Sequence, residues 1–177
     1  IKKEVIGLTP EKYIYSLPVG ANDVLNALYR TMQRPTPNSG GGYSSTTGVA
    51  GLAFDDNVNT YTQQSAPNGN IAINYGTDNA VYAGSIGVLP YVAGGGSATW
   101  TYTLEYSTDN ITWNTLENVG TTLVTDNQWH WYDIDPGQLV QYYRIRAYSG
   151  TTLALREFYV GNQSREITMS RLNRDDY

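Results

Sequence analysis

The chain of 177 residues contains no cysteine and a single histidine. Disulfide frameworks, thiolate zinc sites and iron–sulfur clusters are thereby excluded, and so is a histidine-rich metal site. Charge is scarce as well, at 15% of residues, against roughly 25% in ordinary soluble domains. No apolar run approaches the roughly 20 residues that span a membrane, so no membrane partner is expected. A net charge of −5 argues against nucleic acid, which is held by a basic stripe that displaces counterions. What the chain does have is 18 glycines, 16 tyrosines and 4 tryptophans. That aromatic content supplies surface for a core and argues against disorder.

The scarcity of charge is uneven. Residues 35–162 hold no lysine, three arginines and ten acidic residues, a net of −7. The flanks carry eight basic and six acidic residues, a net of +2. Pro35 to Gly42 reads as a linker of prolines and glycines without packing side chains. Val160 to Ser164 closes the other side in a turn-like string. The expected organisation is a body over 43–161 inserted between an N-terminal arm, 1–34, and a C-terminal arm, 162–177, with 35–42 as linker. Because the chain starts at Ile1 and stops at Tyr177, a processed or partial product of a longer protein is expected. Asp23 to Met32 fits helix and strand templates equally poorly.

Inside the body the period is two. Trp100 to Tyr106 alternates large and polar residues, and Tyr142 to Tyr148 places Tyr143, Ile145 and Ala147 opposite Arg144 and Arg146. Ile71 to Tyr75 and Leu155 to Val160 read the same way. Asp109-Asn110, Asn118-Val119-Gly120, Pro136-Gly137 and Ser149-Gly150 supply the expected turns. The hairpin at Asp109-Asn110 is expected to return Trp113 to the core. Short strands with regular turns predict an all-β antiparallel sandwich.

Four stretches carry a family resemblance: Ala53 to Thr60, Ile71 to Gly76, Tyr102 to Trp113, and Tyr142 to Arg146. In this order they resemble the discoidin or galactose-binding-like superfamily, which includes many bacterial carbohydrate-binding modules. The resemblance implies an eight-stranded jelly roll whose end loops bind sugars, lipid headgroups or proteins. It also implies a structural calcium, and the matching positions here are Asp55, Asn57, Thr60 and Glu157. Asp56 stands where glycine is common, and Tyr61 where tryptophan often follows. Several oxygens within six residues suit a hard cation, and equally suit an ordinary Asx-turn loop. Both readings stand.

Trp129, His130 and Trp131 form the candidate ligand site. Pyranose faces stack on tryptophan and a histidine can donate to hydroxyls. The competing reading puts at least one of these tryptophans in the core. No nucleophile-elbow pattern accompanies His130, and the carboxylates form no hydrolase motif, so no enzyme is expected. Gly94-Gly95-Gly96 lacks the Lys-Ser/Thr of a phosphate loop.

The arms resemble segments of tailed-bacteriophage neck or tail adaptor proteins, through Tyr15 to Leu25 and Arg165 to Tyr177. That resemblance implies a non-catalytic virion subunit, homo-oligomeric with other virion subunits, whose body decorates the particle or touches a host-surface glycan. The alternative is a carbohydrate-binding module of a secreted or cell-surface bacterial protein.

Overall fold

In the computed structural model, the described residues are 37, 41–76 and 79–161. The two arms lie outside them, and with them the adaptor resemblance. The body is an antiparallel sandwich of two sheets with one short 3-10 turn, Ala50–Ala53. Among the described residues it has nine strands: β1 (Gly42–Ser45), β2 (Thr62–Gln64), β3 (Asn70–Asn74), β4 (Ser85–Pro90), β5 (Ser97–Ser107), β6 (Asn114–Thr125), β7 (His130–Asp133), β8 (Tyr142–Ala147) and β9 (Leu153–Gly161). The five-stranded sheet runs β1-β3-β8-β5-β6 and the four-stranded sheet β2-β9-β4-β7. This is the jelly-roll sandwich expected from the sequence, with nine strands where the resemblance implied eight. It starts at Gly42, which pairs with Asn74, so the last residue assigned to the linker already belongs to β1.

The core fills the space between the sheets. Ile71, Ile73, Tyr102, Leu104, Tyr143, Ile145 and Ala147 come from one side, and Ile86, Val88, Leu155, Phe158 and Val160 from the other. Each fully buried Ile, Leu, Val or Phe side chain contributes about 1.5–3 kcal/mol. Two core tyrosines find partners for their hydroxyls: Tyr143 donates to the Val81 carbonyl (3.1 Å) and accepts the Ala83 N–H (3.2 Å). Tyr102 and Tyr132 share a hydrogen bond of 2.6 Å. Burial pushes both Tyr102 and Tyr143 well above the ordinary phenol range.

Three local expectations change. Asn118-Val119-Gly120 is not a turn but a bulge within β6, where the pairing jumps from Tyr102–Gly120 to Thr103–Asn118. Gly120 adopts φ 64° there, a left-handed value that imitates turn chemistry. In β9 the pairing jumps from Leu89–Glu157 to Pro90–Leu155, leaving Arg156 as the extra residue. The strict alternation expected for Leu155 to Val160 therefore breaks at Arg156. Leu153 and Leu155 face the core before the bulge, and Phe158 and Val160 after it.

Trp113 is the third correction. It does not return to the core but lies on the outer face of the five-stranded sheet, 3.7 Å above the Arg144 guanidinium. Ser107 and Asp109 build the hairpin tip, and Asn110 takes the left-handed φ of 61°. The strand then re-enters at Asn114, opposite Tyr106. Trp113 thus reaches the polar side.

The pairing also fixes where the chain leaves the sandwich. Gly42 lies opposite Asn74, residues 75–84 lead on to Ser85, and Ser85 lies opposite Gly161. Both exits are at one end. The opposite end is built from the loops at 55–61, 91–96 and 126–129.

Candidate functional site

The expected cation loop follows the 3-10 turn and closes on itself. Asp55 accepts the Asn57 N–H at one oxygen (3.0 Å) and the Thr60 hydroxyl at the other (2.8 Å). Asn57 accepts the Asn59 N–H (3.1 Å), and Asp56 takes a left-handed φ of 56°. These are Asx-turn bonds. The Thr60 oxygen also lies 2.8 Å from the Asn57 carbonyl. That carbonyl also accepts the Thr60 N–H (3.0 Å), so each of these oxygens has a donor within the loop. Oxygen ligands of this kind suit a hard cation.

Glu157 is buried in β9. Its neighbour Arg156 donates to the Val58 carbonyl of the same loop (2.7 Å), so strand and loop adjoin. Among the described residues no three Asp, Glu or His side chains group closely enough to hold a metal ion. A cation here would therefore depend on amide, hydroxyl and main-chain oxygens beside the carboxylates.

The structure splits the Trp129-His130-Trp131 set. The two tryptophans stack on one another, with ring centroids 4.8 Å apart and planes 20° apart, and Tyr159 meets Trp131 edge-on at 5.6 Å. They lie over Gly87 on the outer face of the four-stranded sheet. A β-carbon at Gly87 would stand 2.5 Å from Trp131 and 2.9 Å from Trp129. His130, between them in sequence, points to the other side of β7 by strand alternation. Burial holds its imidazole below the ordinary value, which favours the neutral ring at pH 7. The histidine therefore does not share a platform with the indoles. Neither tryptophan joins the central core.

A second aromatic cluster occupies the loop end away from the exits. Tyr61 and Tyr91 stack with centroids 3.7 Å apart and planes 11° apart, and Tyr61 stays 39% exposed. Arg156 lies 5.0 Å from the Tyr91 ring. Its guanidinium contacts both oxygens of Asp126 at 3.2 Å, and Asp126 also accepts the Val92 N–H (2.8 Å). The bulge at Arg156 aims this side chain out of the strand alternation and toward the loops. A hydrogen bond with Tyr61 raises the Tyr91 hydroxyl above its usual range. Sequence reading passed over this group because its members are distant along the chain. The one available signal was Tyr61, noted as an aromatic residue in a position where tryptophan often stands.

An exposed aromatic stack beside a fixed guanidinium–carboxylate pair offers a sugar both an apolar face and hydroxyl partners. No protein-family model matches the sequence, and no curated protein matches it. Solved structures do. A family 32 carbohydrate-binding module from Clostridium perfringens, in complex with GalNAc-β-1,3-galactose, superposes with TM-score 0.57 at 15% identity, covering 71% of this chain and 97% of that one. The likeness is one of fold. The family 32 module of NanJ from the same organism, in complex with galactose, gives TM-score 0.55 at 20% identity over 72% of this chain and 97% of that one. The corresponding module of AlyQ, in complex with 4,5-unsaturated mannuronic acid, gives 0.55 at 13% identity over 67% and 92%. The neighbours are discoidin-like modules, as the jelly-roll reading anticipated. None of these three speaks to the phage-adaptor resemblance of the arms.

Proposed function

We propose that residues 42–161 are a non-catalytic glycan-binding module whose site is the loop end bearing Tyr61, Tyr91, Arg156 and Asp126. The observation that carries this reading is the exposed Tyr61–Tyr91 stack beside the Arg156–Asp126 pair, at the end opposite both chain exits. The neighbours' sugar complexes support it by analogy of fold, which does not by itself assign a ligand. Trp129 and Trp131, on the adjoining sheet face, extend the aromatic surface, while His130 has no part in it. Such a module works where glycans are, outside the cell or at its surface. Galactose-terminated oligosaccharides are the first probes to titrate. The expected result is binding that Tyr61→Ala weakens by tenfold or more while the fold is kept. Unchanged affinity in Tyr61→Ala would move the site elsewhere.

Calcium at Asp55, Asn57, Thr60 and Glu157 is a separate part of the proposal. Its contribution would be to fold stability, since a ligand at a hundred times its dissociation constant stabilises by about 2.7 kcal/mol. Calcium added after chelation should raise the melting temperature, and Asp55→Ala should abolish the rise. No response in the unmutated chain leaves the Asx-turn loop alone.

The virion-subunit reading rests on arms outside the described residues. One feature of the body favours it. Exits at a single end suit insertion into a host domain, with the loop end presented to a host-surface glycan and the arms to other subunits.

A further inference from the structure

The outer face of the five-stranded sheet carries a charge arrangement that the loop-end proposal does not use. Between residues 35 and 162 the basic side chains are Arg144, Arg146 and Arg156, against ten acidic residues. Two of the three stand side by side on β8, two residues apart and so on one face. They share a single carboxylate, Glu105.

That carboxylate is already occupied. Arg144 reaches one Glu105 oxygen through Nε (2.6 Å) and Nη2 (2.5 Å), with Trp113 stacked over its guanidinium at 3.7 Å. The other oxygen accepts hydroxyls from Thr103 and Tyr148, each at 3.1 Å. Arg146 is left with a contact of 4.0 Å to that same oxygen, while its side chain is 37% exposed. It lies 5.1 Å over the Tyr148 ring, which orients the guanidinium, and part of the side chain is open to solvent. A planar fork held in this way is pre-organised for a second carboxylate.

The surroundings indicate what carries that carboxylate. Trp113, Tyr142 and Tyr148 bring aromatic rings to the face, and Asn70 and Asn118 lie level with Arg146 across the sheet. The Thr101 and Thr121 hydroxyls, 3.0 Å apart, line the next rank. Of the two acids four residues from Trp113, Asp109 is turned into its own loop by the N–H groups of Ile111 and Thr112 (both 2.8 Å), and Glu117 lies opposite the core residue Leu104. One surplus positive charge among rings, amides and hydroxyls matches a uronate better than a polyphosphate. We infer that this sheet face is a second binding site, for a carboxylated saccharide, with Arg146 as the residue that recognises the acid.

This goes beyond the loop-end reading and can fail independently of it. The probes are trigalacturonate and its methyl ester, titrated calorimetrically into the whole chain at low ionic strength. The acid should bind, the ester at least tenfold more weakly, and added salt should weaken the acid alone. Arg146→Gln should lower acid affinity by tenfold or more with its urea midpoint unchanged, and Tyr61→Ala should leave it unaltered. Should Arg146→Gln lose its fold, the Trp113 indole N–H resonance of the unmutated chain must shift with the acid and not with the ester. Equal affinity for acid and ester overturns the inference, as does no binding of the acid. Full affinity in a folded Arg146→Gln, loss in Tyr61→Ala, or an unmoved Trp113 resonance does the same.

Discussion

The two outer faces of the sandwich are covered by opposite chemistry. On the five-stranded sheet a buried Glu105 is matched by Arg144, Tyr148 and Thr103, and the ring of Trp113 closes over the guanidinium. On the four-stranded sheet Trp129 and Trp131 stack over Gly87, and Tyr159 meets Trp131 edge-on. The first face is held by directional bonds whose members depend on one another. The second is held by shape, which one added carbon can spoil.

The largest expected effect breaks the polar side. Glu105→Ala leaves Arg144 buried without its counter-ion, a loss of about 3–5 kcal/mol, read from urea unfolding. A loss below about 1 kcal/mol would mean that solvent already screens the pair. Gly87→Val tests the aromatic side. The new β-carbon would start 2.5 Å from Trp131, so overpacking should cost about 1–3 kcal/mol. Tryptophan fluorescence should shift to longer wavelength, and an unshifted spectrum would mean that the indoles lie elsewhere.

The smallest effect sharpens the role of the hairpin that carries Trp113 to the polar face. Hydrogen bonds from Ile111 and Thr112 N–H, then the Ser107 hydroxyl, lower Asp109 from 3.8 to about 2. Its folded value lies below its unfolded one, so its contribution is complete above about pH 4 and disappears as pH falls through 2. Asp109→Asn should flatten the stability profile between those limits. An unchanged slope would assign the acid sensitivity to other carboxylates.

The interior was legible because burial on one face imposes a period of two. Tyr143, Ile145 and Ala147 were placed correctly on that ground alone. Arg156, Val119 and Trp113 were not, because each sits where the period slips: at a bulge in β9, at a bulge in β6 and at a hairpin re-entry. A one-residue slip reverses every later side chain, and no local composition marks it reliably. Trp129 and Trp131 were recognisable as aromatic candidates, but their separation from His130 required knowing which face of β7 lies over Gly87. The Tyr61–Tyr91–Arg156–Asp126 group was invisible for a different reason: four loops and strands meet there only after both sheets have formed.

The position of the two exits has a mechanical consequence. Pulled against each other, the flanking segments load one pole only: β1 opens from Gly42 pair by pair, as a zipper does, while the far loops bear no tension. A ligand held at Tyr61 and Tyr91 reverses this. Force then runs the length of the strands, from the loops down β9 to Gly161, and its ladders to β2 and β4 are strained together in shear.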